Sequence, residues 1–166
     1  MKITLEMVEK HCLKHSCDVF AQLFPEGMEV TLENLQLAQD NGIGPFCFAD
    51  MIPEDKKDAY DESVASARQA HIEADAKANQ ERKATEAAAQ KVWDVVCNEL
   101  CKAHWRDAKF AAPPPDALKE ILLPTWRAFE KVRDDAGYVF IEARLPSLKA
   151  YEESIKKALV VAFADN

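Results

Sequence analysis

The side chains most able to do chemistry cluster in two places. Cys97, Cys101 and His104 stand at i, i+4 and i+7. A spacing of four on a helix lets two side chains share one metal ion. Positions 97 and 104 are about 10 Å apart along a helix axis, so one tetrahedral ion takes two of the three and not all. The plainer reading is small thiols flanking an apolar stripe of Val92, Val96 and Leu100, where buried cysteines are common. His11 and His15 repeat the i, i+4 spacing with Cys12 and Cys17 alongside. They form the natural partner set for a shared metal, or else imidazoles placed near a helix C-terminus. His71 stands alone in an Ala-rich stretch and reads as a packing or surface residue. The acidic pairs Glu54-Asp55, Asp61-Glu62, Asp134-Asp135 and Glu152-Glu153 are sequence neighbours. On helices they point about 100° apart and make no carboxylate dyad. There is no Gly-rich phosphate loop, G-x-S-x-G, HExxH or CxxC, the signatures of the common nucleotide, acyl-transfer and zinc chemistries. The residues therefore point away from an enzyme and imply no cofactor, with a metal site at His11, His15, Cys97, Cys101 and His104 as the alternative.

Composition sets the class. The 166 residues are 48% hydrophobic and 30% charged, with net charge −8, 5 Cys, 8 Pro and only 4 Gly. That excludes wholesale disorder. No apolar run approaches a membrane span, and MKITLEMVEKH lacks the apolar core of a signal peptide. An odd, irregular set of cysteines fits thiols kept reduced in a cytoplasm. The acidic balance argues against nucleic acid as a partner, since phosphate binding needs clustered Lys and Arg.

Large apolar residues are spread unevenly: 20 in residues 1–56, 3 in 57–91 and 26 in 92–163. Both ends can build cores and the middle cannot. The expected fold is all-α: a helical headpiece (1–53), a long Ala-rich helix (54–111) and a C-terminal helical bundle (112–166) packing on 92–111. In the headpiece, Thr4 caps a helix to about His11, and Ser16 caps a second that ends at Pro25. Residues 26–30 are too short and isolated to read as a strand. Thr31 caps a third helix whose Leu32, Leu35 and Ala38 face inward, with Gly42 at its C-terminal end. A last short helix carries Phe46, Phe48, Met51 and Ile52. In the bundle, Pro113-Pro114-Pro115 forces a turn, Pro124 kinks or restarts the helix after it, and Ala136-Gly137 ends the next stripe. Tyr138–Ile141 has strand propensity without a partner and reads as helical or extended. Ser147, after Pro146, opens the last helix.

Residues 54–112 hold no Gly and no Pro, and contain a repeat. Ala59–Gln69 is followed directly by Ala70–Gln80, with five matching positions, and by a decayed third copy, Glu81–Lys91. An 11-residue period is 3.67 residues per turn, which keeps a helix nearly straight. Some 55 helical residues would extend about 80 Å, twice the diameter of a compact globule of this size. An elongated molecule is expected. Its Ala surface would meet another helix through Tyr60, Val64, Ala67, His71, Ala74 and Ala78.

The segment His15-Ser16-Cys17-Asp18-Val19-Phe20 through Leu23-Phe24-Pro25-Glu26-Gly27, with Val30-Thr31, Asn34-Leu35 and Ala38, resembles a short N-terminal module of small phage and prophage proteins. Asp58-Ala59-Tyr60-Asp61-Glu62, with Ala65 and Ala67, is similar to the Ala-Tyr-Asp-Glu-Ala repeats that follow that module. The resemblance covers about residues 11–80 and implies a phage-derived origin, with no catalytic residue to carry over. The expected function is that of a cytoplasmic phage or prophage accessory protein that binds a host or phage protein, inhibiting or redirecting it or a defence system. The alternatives are a self-assembling helical protein, a homodimer through the long helix, and the metal-dependent enzyme above.

Overall fold

The computed structural model describes residues 2–107 and 115–164, without the side chains of 101, 103–107, 115–119 and 121. Its order is β1(Lys2–Ile3), α1(Leu5–His11), α2(Lys14–Leu23), β2(Met28–Glu29), α3(Leu32–Asp40), α4(Phe46–Ala49), α5(Glu54–Asp107) and α6(Pro115–Ala164). The fold is all-α apart from one small ribbon. Two compact units result, one from residues 1–73 with 146–166, the other from 74–145. They do not follow the stretches 1–53, 54–111 and 112–166: the end of the chain belongs with its beginning.

In the first unit, α1 starts after Thr4 and α2 two residues earlier than Ser16, with Leu13 at its N-cap. Residues 28–29 do find a partner. Lys2–Ile3 pairs antiparallel with them, Ile3 opposite Met28, and both of these side chains are fully buried. Gly27 makes the approach to that ribbon at φ +85°, and a Cβ there would sit 3.0 Å from the Ile3 carbonyl oxygen. The Thr31 hydroxyl accepts from the Asn34 N–H at 3.1 Å, capping α3. At the other end of α3, Gly42 is left-handed at φ +85°. Its N–H reaches the Gln39 carbonyl and that of Ile43 the Ala38 carbonyl, both at 2.9 Å. This paired closure satisfies carbonyls that the helix leaves open. Leu35 and Ala38 face inward, whereas Leu32 is exposed. The core gathers Phe20, Met28, Leu35 and Phe48 of the headpiece, Tyr60 and Val64 of α5, and Ile155, Leu159 and Phe163 of α6. A headpiece of some 50 residues has too little apolar surface to close a core alone; the two long helices supply the rest.

Lys156 is 2% exposed in this unit. Its ammonium donates to Gln36 Oε1 at 2.6 Å and pairs with Glu153. Gln39 donates to Glu152 Oε2 at 2.8 Å. These bonds tie α3 to α6 and give the buried cation the partners that burial demands.

The second unit is a pair of helices. The restart read as one alternative at Pro124 and the breaks expected at Gly137 and Pro146 do not occur: α6 runs through all three. An interior proline costs a helix roughly 3 kcal/mol or more, so packing along both faces of the break must offset it. Arg144 pairs with Asp75 at 3.1 Å just before Pro146, and Trp126 packs on Trp93 at 5.3 Å just after Pro124. Residues 138–141 are helical, their strand propensity overridden by tertiary contact.

The 11-residue period decides what meets what. In the first unit Tyr60 and Ala162 line one cleft, and His71 stacks on Tyr151 at 5.8 Å. In the second, Arg82 lies 5.3 Å over the Phe140 ring and Trp93 lies 6.3 Å from Phe129. Positions 60, 71, 82 and 93 of α5 step by eleven, as do 162, 151, 140 and 129 of α6. Three helical turns thus bring the same face round to its partner each time. Of the stripe expected at 92–100, Val96 and Leu100 are half-buried, but Trp93 sits in the seam while Val92 is 62% exposed.

Candidate functional site

Within the first unit, His11 and His15 do not share one helix. α1 ends at His11, and His15 lies on α2, so the i, i+4 argument fails at the break; both imidazoles face solvent. Cys12, Cys17 and Cys47 do converge in the first unit. The Cys12 thiol donates to the Cys47 carbonyl at 3.7 Å, and that of Cys17 to the Leu13 carbonyl at 3.4 Å. Burial, with Cys47 beside it, pushes the Cys12 thiol up to about 12, which makes it an inert packing group at neutral pH. Cys97 is half-buried on α5; the side chains of Cys101 and His104 lie outside the described residues. Among the described residues, no three His, Cys, Asp or Glu side chains converge where an ion could sit.

His71 is a packing residue with polar partners. Its Nδ1 lies 3.2 Å from the Ser147 hydroxyl, and its ring stacks on Tyr151, whose hydroxyl accepts from Arg68 Nε at 3.0 Å. Arg68 also donates to Asp61 at 3.0 Å. Burial, then Tyr151, push the Tyr60 phenol up to about 12.

The Ala-rich face expected to receive another protein is occupied by the chain itself. Tyr60 and Val64 are buried in the core of the first unit, and Ala78 is buried in the second. Ala67, His71 and Ala74 are half-buried along the same stripe. The methyl-lined face does meet another helix, and that helix is α6.

What is left open is a different face, in the second unit. There the described residues more than nine-tenths buried are Ala78 and Ala136. Of the fifteen large apolar side chains that stay exposed among the described residues, nine fall within 74–145. Two helices side by side have no third layer to cover them. Two clefts, of about 300 and about 560 Å³, share Thr85 and Val132 and so form one groove on one side of the helix pair. Small residues, among them Ala88, Ala128 and Ala136, line it together with Val92, Val132, Val139 and the half-buried rings of Trp93, Phe129 and Phe140. Val132 and Val139 are 39% and 59% exposed. The other side of the pair is more polar: Glu86, Arg133 and Asp134 stand there beside the exposed Tyr138 and Ile141, and Arg82 borders both sides. The signal for the groove was present in the sequence as Thr125, Ala128, Val132, Ala136, Val139 and Ala143, a three-and-four spacing that placing breaks at Gly137 and Pro146 concealed.

The chain matches no protein-family model, no curated protein and no solved structure. Among the described residues, no helix is long and apolar enough to cross a membrane.

Proposed function

We propose that this chain works by binding protein rather than by catalysis, and that the apolar groove of residues 78–92 and 125–143 is its association surface. The observation that carries the reading is the exposure of Val92, Val132 and Val139 along a groove that several alanines also line. Contiguous apolar surface of this kind mostly marks an interaction site. Alanine lets another helix approach closely, and the valines supply area to bury. The resemblance of residues 11–80 to phage modules favours the setting of a phage or prophage accessory protein, acting on a host or phage protein in the cytoplasm.

A photoreactive benzoylphenylalanine at Val139, irradiated in cells producing the chain, tests this. The expected result is one discrete adduct, absent when the same group is placed at Arg133 on the polar side. Adducts that are absent, or as diffuse as those from Arg133, would contradict the reading.

A further inference from the structure

We infer that the occupant of this groove is a second copy of the chain, the two helix pairs meeting face to face across a two-fold axis. The inference rests on the reading that the groove is an association surface, and adds who fills it.

Charge is the first argument. Residues 74–145 carry twelve basic and twelve acidic side chains, so the whole −8 falls in the other unit. Copies that met through the first unit would bring like charge together; through the second they do not. A strongly basic or strongly acidic partner has nothing to complement on a neutral face.

The pattern of charge is the second. Lys131 and Glu142 are eleven residues apart on α6, which is three helical turns and the same edge of the helix. Between them lie Val132 and Val139, which line the groove. A two-fold interface is self-complementary: if i meets j, then j meets i. Antiparallel pairing of α6 with its copy about an axis near residue 136 brings each Lys131 within side-chain reach of the other copy's Glu142 and each Val132 beside the other copy's Val139, the two pairings differing in register by about 3 Å along the helix. Asp135, which lines the groove, then lies near the axis facing its own copy, with Lys131 one turn away to offset the repulsion.

Area is the third. From Thr125 to Ala143 on α6 the groove is about 27 Å long, and two helices are about 20 Å wide, a footprint of about 500 Å² per copy. The total of about 1,000 Å² stands at the lower bound for a specific interface. The dimer should therefore form and exchange reversibly in the micromolar range.

Charge exchange tests the inference with the full-length chain, read as a dissociation constant by light scattering across concentration. Lys131→Glu and Glu142→Lys should each weaken the dimer about tenfold, because each creates two like-charge contacts. The double variant should return to the wild-type value, and Asp135→Asn should tighten the dimer. Val132→Glu should give monomer with unchanged helicity, since the site is half open already. A wild-type chain that stays monomeric to about 100 μM overturns the inference. So does a dimer indifferent to Val132→Glu, or one that the double charge exchange fails to restore. In either case a Val139 adduct of a different protein in cells would leave the association surface standing, whereas no adduct at all would remove both.

Discussion

Shortening Leu159 to Ala removes three carbons from a fully buried position in the core of the first unit. At about 0.8 kcal/mol per buried methylene, the transfer loss alone is about 2.4 kcal/mol. The cavity left behind raises the total to about 3–4 kcal/mol, a large part of the stability of a small domain. Since the same core holds Phe20 of α2 and Leu35 of α3, the loss should be felt more than a hundred residues earlier in the chain. Three kcal/mol is about two powers of ten in an equilibrium constant. Amides of α2 and α3 that exchange through opening of this unit should therefore exchange roughly a hundredfold faster. Hydrogen exchange read by mass spectrometry at neutral pH measures this, with Leu123→Ala, 43% exposed and in the other unit, as a control expected to leave α2 and α3 unchanged. Acceleration confined to α6, with α2 and α3 as protected as before, would refute the claim that the end of the chain completes the headpiece core.

Two glycines should separate conformational strain from steric collision. Both Gly27 and Gly42 are at φ +85°, but a Cβ at Gly42 meets open space while one at Gly27 meets the Ile3 carbonyl. Gly42→Ala should cost about 1 kcal/mol in urea unfolding, and Gly27→Ala clearly more; equal costs would contradict the geometry. Thr31→Ala should cost about 1 kcal/mol through loss of the α3 cap, visible as a lower urea midpoint. Alkaline pH should destabilise the first unit. Cys12 and Tyr60 are both raised to about 12, from 9.0 and 10.0, so above pH 9 the unfolded chain loses protons that the folded chain keeps. Their contribution is complete below pH 9 and is lost as pH rises through about 12. A urea midpoint that stays flat from pH 9 to 11 in wild type, and matches that of Cys12→Ser, would oppose this.

The helical character of the chain was legible because it rests on local signals. Thr4, Thr31, Pro25 and Gly42 mark helix ends in the headpiece, and the Gly- and Pro-free run beyond residue 54 marks α5. What could not be read locally depended on partners distant in sequence. Lys2–Ile3 becomes a strand because Met28–Glu29 lies beside it. Pro124 and Pro146 stay inside a helix because α5 holds both flanks, through Trp93 and Asp75. The 11-residue repeat was visible in α5, where alanine makes it a string of matching letters. In α6 the same step joins Phe129, Phe140, Tyr151 and Ala162, and dissimilar side chains hide it. The face assigned to a partner followed from that gap: Tyr60, Val64 and Ala78 looked bare while their cover on α6 went unrecognised. Once α6 is one helix, the uncovered surface moves to Val92, Val132 and Val139.

The central claim is that two helices carrying an open apolar groove do not remain alone. Sedimentation equilibrium of the full-length chain, from about 1 to 100 μM, measures this without probe or label. The mass should rise from 18.6 kDa toward twice that value, with Val132→Glu held at the lower limit. A wild-type mass that stays at the single-chain value across the whole range, in parallel with the variant, would contradict it.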